Sequence, residues 1–221
     1  MKPRELSIHD FLKGTFVACI LTLDKAYLFS DGIVTLNLPD HPTRQVSDSF
    51  SKVHKINSNC GILTYGRFLP DLVELACTQI KDEDNLEQIR TKFKLLFTKL
   101  WEKAPKTGVK TGAIIVTFNR KRTPCSFVVE STSTPEFEPG PLHLPSDYSP
   151  LTLALTLASV CQDEAQLQSG ERLSVELQRL INMGFQMNRD VFRKAFDNVK
   201  EQLSKVSNEI GGKTFELVLE K

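Results

Sequence analysis

From Lys13 to Gly32 the chain reads KGTFVACILTLDKAYLFSDG. Two apolar, β-prone runs, Phe16 to Leu23 and Ala26 to Phe29, flank the polar pair Asp24-Lys25, and strands separated by two turn residues predict a tight antiparallel hairpin. A threonine behind a glycine opens this segment, and an aspartate before a glycine closes it. Thr15 and Asp31 are then two fixed points of one strand pair, so the register of the hairpin matters more than its composition.

Outward from the hairpin the pattern changes several times. A polar, proline-bearing loop is expected from about Leu38 to Phe50, followed by two short strands, Lys52 to Ile56 and Cys60 to Tyr65, around the turn residues Asn57-Ser58-Asn59. Leu69, Leu72, Ala76 and Ile80 then fit one amphipathic helix, and Leu86, Ile89, Phe93, Leu96 and Leu100 step by three and four through a second. Strand character returns at Ala113 to Phe118 and Ser126 to Val129. Asn119 to Arg122, a short basic cluster, reads as the turn between them. Ser131 to Pro150 holds five prolines and reads as an irregular excursion. Helices are expected from about Leu151 to Cys161, near Leu173 to Met183, and through Phe192, Phe196, Val199, Leu203 and Val206, before Gly211-Gly212 and a last strand from Thr214 to Leu219. Sheets covered by helices would bury every one of these apolar stripes.

The 221 residues, 40% hydrophobic and 25% charged, suit one globular domain with a sizeable core. With 28 Lys+Arg against 27 Asp+Glu the net charge is +1, so no long-range field draws nucleic acid or an anionic membrane surface. The first fourteen residues lack the continuous apolar core of a secretory signal, and no window reaches the length of a membrane span, so a cytoplasmic location is expected. Five widely spaced cysteines, Cys19, Cys60, Cys77, Cys125 and Cys161, suit reduced core thiols better than a disulfide framework or a zinc site. The four histidines show no ligand spacing, and neither metal nor cofactor is expected.

GTFVACILTLDKAYLFSDG, SKVHKINSNCGILTYG, the helix pair after it and SNEIGGKTFELVLE, in this order, resemble the proteasome β-type subunits and their bacterial relatives, the N-terminal-nucleophile (Ntn) hydrolases. The resemblance covers most of the chain by element order and about a quarter of it by motif; residues 131 to 170 match poorly. It implies an α+β fold, a four-layer αββα sandwich with two antiparallel sheets between helical layers. Residues 1–14 would be a propeptide or N-terminal extension and 15–221 a single domain.

The same resemblance assigns roles. Thr15 would be the nucleophile, released by cleavage of the Gly14-Thr15 bond, with Asp31 and Lys52 completing the catalytic group. A threonine hydroxyl needs a base to take its proton, and a freed α-amine, with an ordinary pKa of about 7.7 to 8.0, can act as that base. The charge on Lys52 would favour the neutral amine and the forming alkoxide, with Asp31 holding Lys52 in place. Backbone N–H groups at Tyr65-Gly66 would form the oxyanion hole, and Thr35 would bond the backbone of an extended substrate. Val34, His54 and Thr64 fall where the family lines its side-chain pocket. Singly, Thr15 is an ordinary strand-edge residue, Asp31-Gly32 a turn pair and Lys52 a solvated strand lysine. Their conjunction carries the reading.

Lys110 stands where active members carry a serine that bonds the terminal amine, and Asp147 and Ser149 are the candidates for the family's distal aspartate and serine. The expected function is hydrolysis of peptide or amide bonds in a peptide or protein substrate, within a homo-oligomeric ring or stacked rings. The alternative is a catalytically inactive, α-type or pseudoenzyme subunit with an assembly or binding role; an Ntn amidase acting on a small molecule is a third. Asp31 and Lys52 favour the first, Lys110 the second.

Overall fold

The computed structural model describes residues 15–36, 44–66, 69, 71–103, 111–131, 137–145, 154–159, 165–207 and 209–220. Its opening strands, β1 (Phe16–Leu21) and β2 (Lys25–Ser30), form the expected hairpin. Leu21 pairs with Ala26, so the turn falls on Leu23-Asp24, one residue earlier than the sequence suggests. Thr22 sets this corner: its backbone N–H donates to Lys25 O at 2.9 Å, and its Oγ1 accepts the Lys25 N–H at 3.1 Å.

β3 (Val34–Leu36) and β4 (Arg44–Ser47) pair as a small antiparallel ribbon, so part of the segment expected to be loop is strand. β5 (Val53–Lys55) and β6 (Gly61–Gly66) follow, then α1 (Asp71–Gln79) and α2 (Leu86–Lys103), then β7 (Thr111–Phe118) and β8 (Pro124–Ser131). Between β7 and β8 the Asn119 side chain accepts the N–H groups of Lys121 and Thr123, which makes the basic cluster a capped strand turn. Residues 137–145 run back along β8, with Ser126 and His143 exchanging backbone hydrogen bonds.

The expected helix from Leu151 to Cys161 is not formed. Residues 154–159 are β9 (Ala154–Ser159), antiparallel to β1 with Phe16 opposite Ser159 and Leu21 opposite Ala154; the flanking residues of that expected helix lie outside those described. Leu and Ala favour helices in isolation, but Leu151, Leu153, Leu155 and Leu157 recur with period two. Every residue of β1 is buried, and a buried strand cannot leave one row of backbone groups unpaired. β9 supplies those partners.

The chain ends with α3 (Ala165–Asn182), α4 (Arg189–Ser204) and β10 (Phe215–Glu220). Asn188 caps α4 by accepting the Val191 N–H at 3.1 Å. The fold is thus mixed α+β, with four helices and three antiparallel sheets among the described residues: β10-β2-β1-β9, β5-β6-β7-β8 and β3-β4.

Alternation along the strands sorts their side chains into separate cores. Phe16, Ala18 and Ile20 of β1, with Tyr27 and Phe29 of β2, pack on Leu173, Leu177 and Leu180 of α3 and Phe192, Phe196 and Val199 of α4. Phe16 stacks on Phe196 with ring centroids 4.6 Å apart. Ile62, Ala113, Ile115, Phe127 and Val129 pack instead on α1 and α2 through Leu72, Ala76, Phe93, Leu96, Phe97 and Trp101. The remaining faces meet each other: Val17, Cys19, Leu21, Ala26 and Leu28 of one four-stranded sheet lie against Val53, Leu63, Tyr65, Ile114 and Val116 of the other. No helix among the described residues is long and apolar enough to cross a membrane.

Candidate functional site

One end of the two large sheets collects the polar residues that the cores exclude. The β1–β2 register continues one step past the strands: the Asp31 N–H donates to Phe16 O at 3.0 Å, which sets Asp31 beside the residue after Thr15. In the other sheet Lys52 O accepts the Thr64 N–H at 2.9 Å, so Lys52 extends β5 opposite Thr64. The start of β1, the end of β2, the start of β5 and the end of β6 therefore lie together.

Asp31 and Lys52 meet across this end. Lys52 Nζ donates to Asp31 Oδ1 at 2.5 Å, with side-chain exposures of 3% and 0%. The same oxygen accepts the Phe16 N–H at 3.0 Å, and Oδ2 accepts the Gly211 N–H at 3.3 Å. One carboxylate oxygen thus joins the lysine ammonium to the peptide unit that links Thr15 to Phe16. Thr15 itself is buried.

The electrostatics of the pair follow from its burial. Loss of water pushes the Asp31 carboxyl above the usual aspartate range, and the Lys52 charge and the three hydrogen bonds oppose that rise only in part. Loss of water likewise pulls the Lys52 ammonium below the usual lysine range, against the attraction of Asp31. A lysine with a lowered pKa is poised to exchange a proton nearer neutral pH than a solvated one.

Around the pair, Gly66 ends β6 at φ 69, opposite Thr111, in the left-handed region that favours glycine. Thr35 is buried on β3, next to a register shift between Val34 and Thr35. With Ile33 and Gln45 it forms one wall of an open cleft of about 660 Å³, whose other side is the end of α4 and the turn at Gly211-Gly212. Val34 and Thr64 are buried, and His54 is half-buried with its pKa lowered by burial. Ser30 Oγ, beside Asp31 in the chain, is buried with no hydrogen-bond partner among the described residues. Lys110, Asp147 and Ser149 lie outside the described residues, as does Gly14.

One contributor escapes the sequence reading. Gly211, recognised only as part of a family-like ending, reaches Asp31 from 180 residues away, and the Gly211-Gly212 pair was the available signal.

Among the described residues no cluster of His, Cys, Asp and Glu is arranged to hold a metal ion. Cys19, Cys60 and Cys125 are buried free thiols, and burial raises the pKa of each, that of Cys125 to about 11, so these sulfurs are poor nucleophiles. Cys77 is a free, exposed thiol, and Cys161 lies outside the described residues. No protein-family model matches the chain, and no curated protein matches it.

Proposed function

We propose that this chain is a proteasome-like Ntn-hydrolase subunit that hydrolyses peptide or amide bonds through Thr15 after cleavage of the Gly14-Thr15 bond. The observation that carries this reading is the shared oxygen of Asp31, which accepts both Lys52 Nζ and the N–H following Thr15. That arrangement suits a nucleophile whose terminal amine serves as base. The Lys52 charge, joined through Asp31 Oδ1 to the peptide unit after Thr15, would favour the alkoxide, and a carboxylate out of reach of water fixes where that charge sits. Gly66, with its left-handed backbone at the end of β6, suits close approach of a substrate carbonyl to backbone donors. The apolar clusters on both faces of each four-stranded sheet support the finer reading of the architecture as an αββα sandwich of four layers.

The substrate would be an extended peptide or protein segment lying by Thr35, and the working form a homo-oligomer, a ring or stacked rings. A second reading, a non-catalytic subunit, is favoured by Lys110, where a cation would repel a terminal amine. The intact mass of the purified chain separates the two. Loss of residues 1–14 from the parent and their retention in Thr15→Ala is the expected result; a full-length mass for the parent under all conditions would refute the autocatalytic reading.

A further inference from the structure

The turn at Gly211 to Lys213 holds both halves of the buried pair. Gly211 donates its N–H to Asp31 Oδ2 at 3.3 Å and accepts the Gly32 N–H at 3.0 Å. Lys213 donates its N–H to Asp48 O at 2.7 Å, and Phe50 donates its N–H to Gly32 O at 3.0 Å. The segment that carries Asp31 and the one that leads into Lys52 are therefore tied to each other and to this turn. The fit leaves no room for a side chain: a Cβ on Gly212, at φ 68, would stand 2.3 Å from Asp48 O, a backbone atom that cannot swing aside.

The turn is held in its own right from α4. Lys200 Nζ donates to Gly212 O at 2.8 Å and to Thr214 Oγ1, with Asp197 Oδ1 at 3.4 Å. Thr214 Oγ1 donates in turn to Asp197 Oδ1. The Lys200 side chain is 14% exposed and lines the cleft that Thr35, Gly211 and Gly212 also line. One ammonium therefore joins α4 to the carbonyl of the residue after Gly211. The path from Lys200 to Asp31 runs through the hydrogen bond to Gly212 O, the main chain of Gly212 and Gly211, and the hydrogen bond from the Gly211 N–H to Asp31 Oδ2.

We propose that Lys200 is a positioning residue for the Asp31–Lys52 pair, acting through the Gly211-Gly212 turn. The proposal rests on the reading of Asp31 and Lys52 as catalytic. Lys200 touches neither of them; it sets where the Gly211 N–H points, and that N–H sets the tilt of the carboxylate whose other oxygen holds Lys52. A lysine that only braces a turn would affect folding and nothing else.

Lys200→Met and Lys200→Arg in the full chain distinguish these roles. In Lys200→Met, kcat on a peptide substrate is expected to fall about tenfold or more, because the pair loses its geometry. The NMR signals of the Asp31 carboxyl carbon and the Lys52 ammonium shift in the same variant. Lys200→Arg, which keeps a donor for Gly212 O, restores both. A Lys200→Met protein that unfolds cooperatively and leaves those two signals where they are in the parent would overturn the proposal. Gly212→Ala is expected to shift the same signals, and if it fails to fold the Lys200 pair decides alone. If the parent turns over no peptide, the catalytic reading falls, and the NMR comparison still decides whether Lys200 positions the pair.

Discussion

Asp31 and Lys52 make an expensive contact for a protein to bury. Moving a carboxylate and an ammonium out of water costs several kcal/mol per ion, and the pKa of each is displaced toward its neutral form, so their mutual attraction does not offset the loss in full. The sign follows from the two directions. An aspartate raised on folding stabilises less as pH climbs through the ordinary aspartate range, and a lysine lowered on folding stabilises less as pH drops through the ordinary lysine range. The cost is therefore greatest near neutral pH. Asp31→Asn and Lys52→Met are each expected to lose about 3–5 kcal/mol, and the double variant less than either alone, since it leaves no unpaired buried charge. Urea denaturation at pH 7 measures all three; additive losses would show that the two side chains are not coupled. Turnover should vanish in all three variants.

At the scale of elements, the two C-terminal helices are joined by a part-buried polar clamp. Glu176 of α3 accepts Arg179 Nε at 2.8 Å and Nη2 at 2.7 Å, and also Asn198 Nδ2 of α4 at 2.8 Å. Hydrogen bonding from Arg179 holds the Glu176 carboxyl below the usual glutamate range. A depressed carboxylate adds stability above its unfolded pKa and loses it as pH falls through the folded value. Glu176→Gln should thus cost about 1–2 kcal/mol at pH 7, and its gap to the parent should narrow as pH falls below the ordinary glutamate range, as followed by thermal unfolding. A gap that stays constant with pH would mean that the charge is immaterial. Elements with strong local signals were legible: the hairpin from two apolar runs, α2 from steps of three and four, and α4 from Phe192, Phe196, Val199 and Leu203. β9 was not, because Leu and Ala form helices in isolation, and its strand is dictated by the open edge of β1.

For the whole molecule, the layer between the two large sheets fixes how their ends align, and hence whether Asp31 and Lys52 can meet. Leu28 lies in that layer, fully buried, and its side chain approaches the Cβ position of Gly61 in the facing sheet to 3.3 Å. Leu28→Ala should open a cavity there and cost about 2–5 kcal/mol in chemical denaturation. A loss under about 1 kcal/mol would show that the sheets re-close over the gap. The sequence alone determined the apolar runs that make the hairpin and the helical periods, since each depends on neighbours a few residues apart, whereas the register that sets Asp31 beside Phe16 was one turn residue away from the sequence reading. Tertiary structure decided the remainder. It made β9 a strand, seated the Gly211-Gly212 turn on Asp31 and brought Lys200 behind that turn, because these contacts join segments far apart in the chain, whose pairing no local period encodes.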